Sequence, residues 1–432
     1  MIANRTDLIS ALVSAAEIEH GVCCQYLFAA FSLKVRPEEG GVTPEEIEQA
    51  RDWKTTLLLI ARQEMAHLGY VADLLSAVGG APHFARPGFP FMSPHYARGI
   101  PLQLQPFGRL PLEQFICLER PRHISPADGF CRSLQHLSRG TPGAHVAEGQ
   151  TLGELYDRIR EAIGRLPARR LFVGVPADQV SNVSIGLPQT GFYDMRDTPI
   201  TSRATAMRAL DQIVEEGEGT RTGARDPADL AHCHYGRLLA IRGDYLAAQR
   251  RARRARRRYE PARPVVRNPV ALLRADDGQA TPITNERTRE AAQLFDAVYE
   301  TLIMFLVRVY SRHDEAAHLF RSMRTAAFWP LMTMCVRPLG EALTELPATP
   351  GRGGPAAGPA FHLTPAIHVV PDGRAALRVF SERLEMLAGA AERLAWRRDR
   401  SLKPHLRARL DALALDLARI SVNFRRQAGI AR

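Results

Sequence analysis

The chain has 432 residues, of which 45% are apolar, and a formal net charge of +11. That length and apolar content exclude a disordered or fibrous chain and suit one main domain with appendages, since single cores rarely grow past about 250 to 300 residues. Seven arginines between positions 250 and 258 carry most of the excess charge, and without interleaved aromatics they read as a solvated helix face rather than a grip on nucleic acid.

In chain order, Leu8, Leu12, Ala15, Val22, Tyr26, Ala30 and Leu33 share one stripe and predict a first helix over 8–33, with Asp7 as its cap. Thr43, Pro44, Glu45 and Glu46 start a second: a capping residue, a proline at the first position, then acids at the positive end of the dipole. It runs to Val78 and stops at Gly79 and Gly80. A proline-broken connection over 82–111 leads to a short helix at 112–119, which ends at Pro121. The insertion 122–198 holds one helix, at 152–166, and two apolar snatches at 171–173 and 183–185 that could pair as short strands. A helix over 202–216 breaks at 217–223 and resumes over 229–258. Two more helices occupy 285–346, a glycine and proline loop follows at 347–359, and an arginine-rich helical pair closes the chain over 374–425.

The expected class is therefore mainly α, divided into a bundle domain at 1–260 that includes the insertion, a helical extension at 261–365 and a tail at 366–432. No apolar leader core and no apolar run near 18 residues is seen, so the expectation is a cytoplasmic protein with no membrane partner. The six cysteines follow no disulfide or zinc spacing and read as small buried thiols. Cys23 and Cys24 are adjacent on a helix and point to different faces.

The chemistry concentrates on the second helix. Leu57, Ile60, Glu64, His67, Val71, Leu74 and Val78 step by alternating three and four residues, and only Glu64 and His67 are not apolar. Burying an acid and an imidazole without partners costs several kcal/mol. A metal ion removes that cost: Glu-x-x-His puts a carboxylate and a neutral imidazole on adjacent turns facing inward, the donor pair of di-iron helical bundles. On the first helix Glu19 lies on the apolar stripe, with Tyr26 two turns along the same side as a candidate catalytic residue; Glu17 and His20 fall off the stripe and read as a partly exposed flank.

Glu17-Ile18-Glu19-His20 through Gln25-Tyr26-Leu27, with Arg62-Gln63-Glu64-Met65-Ala66-His67-Leu68 and Leu74-Leu75-Ser76-Ala77-Val78-Gly79-Gly80-Ala81-Pro82, resembles the ferritin-like family named for iminophenyl-pyruvate dimer synthase. The likeness continues through Phe115-Ile116-Cys117-Leu118-Glu119-Arg120-Pro121, Thr151 to Tyr156, Ile213 to Gly219, His234-Tyr235, Pro338-Leu339-Gly340 and Ala357-Gly358-Pro359, roughly residues 7–365. The resemblance implies a ferritin-like four-helix bundle with two iron ions per chain and a place in bacterial natural-product pathways. It also implies Glu119 as a third inward carboxylate; a solvated helix-end residue is the alternative.

The fourth helix departs from the pattern, because Glu215 is followed three residues later by Glu218 rather than histidine. The expectation is that Glu218 or Glu215, with His234 from beyond the break, replaces the missing pair; a single iron or an unequal pair is the alternative. His234 shares a face with Leu230, Leu238 and Ile241, whereas His232 does not, and His313 and His318 read as structural. Arg62 and Gln63 are candidates to orient the ligands.

The implied function is a non-haem iron oxidoreductase that uses dioxygen or peroxide on an amino-acid-derived imine, indole or similar aromatic metabolite. The insertion and the aromatic C-terminal helices would wall its pocket. Manganese in place of iron, a ferroxidase without organic substrate, and a metal-free scaffold stand beside this reading. A second copy of the chain is the one macromolecular partner left open.

Overall fold

The computed structural model describes residues 2–93, 101–121, 124, 152–176, 179, 199–217, 219, 230–272, 279–311, 323–351, 353–364, 372–394 and 402–430. Two compact units divide it: Met1–His83 with Phe91–Ala262, and Phe84–Pro90 with Arg263–Arg432.

The first unit is built on α1 (Arg5–Ser32) and α2 (Pro44–Ala77), which pack against each other along their lengths. Buried residues surround α1 on every side, as befits a central helix. Asn4, not Asp7, caps it: the Asn4 side chain accepts from the Asp7 N–H at 2.9 Å, because the helix begins three residues before the apolar stripe. α2 starts on the expected capping box, in which the Thr43 hydroxyl accepts from the Glu46 N–H and the Glu46 carboxylate from the Thr43 N–H. Then come α3 (Arg109–Leu118), α4 (Leu152–Arg165), α5 (Arg203–Gly217) and α6 (His234–Arg254). α5 packs on α4 and α2, and α6 on α3 and α2, so α5 and α6 occupy the expected interrupted fourth position. Arg242 of α6 donates to the fully buried Glu113 of α3 at 2.8 Å, tying those helices together.

The second unit contains α7 (Glu286–Ser311), two π-helical turns (Met323–Phe328 and Leu331–Val336), α8 (Arg337–Leu343), α9 (Gly373–Arg393) and α10 (Pro404–Gln427). A minimal parallel pair, β1 (Pro269–Val270) and β2 (Thr281–Pro282), precedes them. Phe305, Phe380 and Phe424 join α7, α9 and α10, the first two stacked at 4.1 Å. This unit therefore takes in both the segment expected as an extension and the C-terminal tail.

Other expectations are corrected. α6 begins five residues later than its pattern suggests, since Cys233 caps it. Leu171 closes a short helical turn (Ala168–Leu171) and 172–173 form no strand; 183–185, His313 and His318 lie outside the described residues. His20 is buried, whereas Glu17 is partly exposed as expected, 3.4 Å from His83. Cys23, Cys24, Cys233 and Cys335 are buried and outside any disulfide, whereas Cys117 is disulfide-bonded. Six of the seven arginines at 250–258 are exposed; the other, Arg257, pairs with buried Glu46.

Candidate metal centre

Six helices of the first unit converge on one buried cluster. α1 brings Glu19 and Tyr26, two turns apart on one side, and α2 brings Glu64 and His67 on adjacent turns. Glu119 is the residue just past α3, Tyr156 comes from α4, Glu216 from the last turn of α5, and His234 opens α6. The turn into α6 depends on Gly236, where a Cβ would fall 1.8 Å from the Leu230 carbonyl oxygen.

Ligand atoms of Glu19, Glu64 and His67 lie within 4.8 Å of one another, as do those of Glu64, Glu119 and His234. Glu64 belongs to both sets. Its Oε2 is 3.0 Å from His67 Nδ1, and its Oε1 is 3.1 Å from His234 Nδ1. Glu19 Oε2 is 3.6 Å from His67 Nδ1, and Glu119 Oε2 is 3.6 Å from His234 Nδ1. The outer side of each terminal carboxylate is held by a phenol: the Tyr26 hydroxyl donates to Glu119 Oε1 at 2.5 Å, and the Tyr156 hydroxyl to Glu19 Oε1. His67 Nε2 lies 3.2 Å from Glu216 Oε2, and the Gln212 amide donates to the other oxygen of Glu216.

These residues fit a metal pair on their own chemistry. All five common donors are at most 2% exposed. Yet Glu19 Oε2, Glu64 Oε1 and both ring nitrogens of His234 have no hydrogen-bond partner among the described residues. Orphaned buried polar atoms are rare in folded proteins. Glu19 Oε2, Glu64 Oε1 and His234 Nδ1 lie 3.1 to 3.6 Å from other donors of the set without being aligned as hydrogen bonds, as ligand atoms facing a common centre would be; an imidazole offers such a centre only one of its two nitrogens.

The electrostatics follow from the burial. Desolvation, then the charge of Glu64, pushes the Glu19 carboxyl up to about 7. Burial works against the charged form of His234, but the Glu64 and Glu119 carboxylates outweigh it and hold the imidazole at about 9. His67 is likewise raised, its desolvation overcome by Glu19, Glu216 and Glu64. Glu64 is lowered, despite its burial and the charge of Glu119, by the two histidines. Without a cation, protons on the imidazoles balance the acids.

Glu19, Glu64, His67, Glu119 and His234 are thus brought together, with Tyr26 against Glu119. Glu215 is not: its side chain is exposed, and its neighbour Glu216 is the acid that faces His67. The reason is helical phase, since Ala206, Ala209, Ile213 and Glu216 step by three, four and three around α5 and Glu215 falls off that line. Glu218 lies outside the described residues, and His232 is exposed. Glu216 and Tyr156 escape a reading confined to Glu-x-x-His, although Leu152, Tyr156, Ile159 and Ile163 form an equally legible stripe. Gln63 accepts from Arg237, a residue the sequence does not single out, at 2.7 Å.

A family model described as Ferritin-like matches residues 12–243. The chain is 29% identical over 408 residues to dichlorochromopyrrolate synthase of Lentzea aerocolonigenes, covering 90% of this chain and 39% of that protein. It is 28% identical over 379 residues to 2-imino-3-(indol-3-yl)propanoate dimerase of Chromobacterium violaceum, covering 83% of this chain and 34% of that protein. The chain thus spans well under half the length of either relative. A crystal structure of a ferritin-like protein from Caulobacter vibrioides aligns with a TM-score of 0.43 at 17% identity, over 71% of this chain and 87% of that one, a likeness too low to carry an argument.

Proposed function

The chain belongs to the Ferritin-like family, and from that premise we propose that it is a non-haem iron oxidoreductase acting on a small aromatic, amino-acid-derived molecule. The observation that carries the proposal is the pair of buried carboxylate and imidazole triads sharing Glu64, with three of their ligand atoms left unpartnered among the described residues. Glu19, Glu64 and His67 would hold one iron, and Glu64, Glu119 and His234 the other. When bound, the iron pair supplies electron transfer with dioxygen or peroxide. Tyr26 and Tyr156 orient the terminal carboxylates, Glu216 orients His67, and the enclosing helices exclude water. By their names one relative makes a dichlorochromopyrrolate and the other dimerises 2-imino-3-(indol-3-yl)propanoate, which favours an organic substrate in bacterial natural-product chemistry over iron storage.

The test is metal content after anaerobic loading with iron(II). Two irons per chain are expected. Glu64→Ala loses both, because both triads use it, whereas Glu19→Gln and Glu119→Gln each lose about one. Loading releases protons and weakens as pH falls through about 9, where His234 takes up its proton, and further through about 7, where Glu19 does; the raised His67 adds in the same direction, and calorimetry in buffers of different ionisation enthalpy reads the release. Full metal content in Glu64→Ala sinks the assignment. Turnover of an indole-derived imino acid under dioxygen or peroxide separates the oxidoreductase from a ferroxidase.

A further inference from the structure

Among the described members of the centre, Glu216 alone is not buried, its side chain being 24% exposed. Among the described residues, its side is thus the exposed side of the centre. That side also carries cations. Arg237 lies three residues beyond His234, one turn along the same face of α6, and its Nη1 donates to Gln63 Oε1 at 2.7 Å. Gln63 immediately precedes Glu64, so one layer outside the Glu64 and His234 contact stands a contact between their neighbours. Arg237 is only partly exposed and lies within electrostatic reach of both Glu216 and Arg62.

Three features of Arg237 point to a ligand. No carboxylate among the described residues forms an ion pair with it, although Glu216 is close. Arg62 adds a second positive charge within its electrostatic reach, so an anion arriving at Arg237 meets two cations. Its fork is held at one corner by a neutral amide, which fixes the guanidinium without spending its charge. The neighbouring acids restrict what can dock there: a planar group with a single negative charge suits the fork, and a dianion would be repelled by Glu216.

We propose that Arg237, anchored by Gln63 and flanked by Arg62, recognises the carboxylate of an organic acid at the open side of the centre and so holds the rest of that molecule toward Glu64 and His234. The proposal rests on the metal-centre reading for its purpose, and its test does not depend on that reading.

The experiment titrates indole-3-propionate and its neutral amide, indole-3-propionamide, into zinc-loaded protein by calorimetry, with metal content measured on the same samples. A charge-assisted bond desolvated on one side should make the acid at least about tenfold tighter than the amide. Arg237→Gln should abolish the preference at unchanged metal content, Arg237→Lys should restore part of it, and Arg62→Gln should weaken the acid less. Equal affinity for acid and amide in the unaltered protein overturns the proposal. So does a full preference retained in Arg237→Gln, which would show the carboxylate on the metal. If Arg237→Gln fails to fold, the comparison in the unaltered protein and the Arg62→Gln result still decide. If the chain takes up no metal, the metal reading fails while the acid preference of metal-free protein continues to test Arg237.

Discussion

Glu215 and Glu216 differ by one position and by about 100° around α5, and that rotation sends one to solvent and the other to His67. His67 needs such a partner: a carboxylate at Nε2 selects the tautomer and ring orientation that present Nδ1 to Glu64 and Glu19. Glu216→Gln should accordingly weaken metal binding by roughly 10-fold to 100-fold, while Glu215→Gln leaves it unchanged; stepwise binding isotherms compare them. Equal effects would remove the orienting role. At this scale Glu64 and His67 are legible in the sequence, because an acid and an imidazole interrupt an otherwise apolar stripe. Tyr156 and Glu216 lie on stripes of their own, but nothing local says which distant residue each will meet.

The arginine run shows what the element decides. Its composition reads as a solvated face, and six of its members are exposed on α6 or just beyond it. Arg257 is different, since the chain leaving α6 carries it to Glu46 in the first turn of α2, an acid only 4% exposed. Replacing Arg257 by Gln should lower stability to denaturant by about 1 kcal/mol, a figure discounted for the exposure of the arginine. Replacing the other six together should change it little. A large loss in the sixfold variant, or none in Arg257→Gln, would contradict this division. Element boundaries follow a similar rule: the start of α2 is readable from Thr43 to Glu46, whereas α6 starts where Cys233 and Gly236 allow a turn against Leu230.

For the whole molecule, the centre belongs to one of two compact units. A ligand that binds only the folded state stabilises the cooperative unit that binds it, by about 2.7 kcal/mol at a concentration of 100 Kd. Zinc or iron(II) should therefore slow amide hydrogen exchange in α1, α2 and α6 and leave α9 and α10 unchanged. Uniform slowing across α1 to α10 would mean that the two units open together.

The sequence by itself determined the helices of the bundle, the inward placement of Glu19, Glu64 and His67, and the break in the fourth helical position, because apolar periodicity, capping residues and glycine act over a few neighbouring residues. Only the tertiary structure decided that Glu64 serves two triads, that Tyr156 and Glu216 stand behind Glu19 and His67, and that Arg237 meets Gln63. Those relations join residues separated by tens to well over a hundred positions. They arise where separate helices close on one interior, and no local pattern encodes that closure.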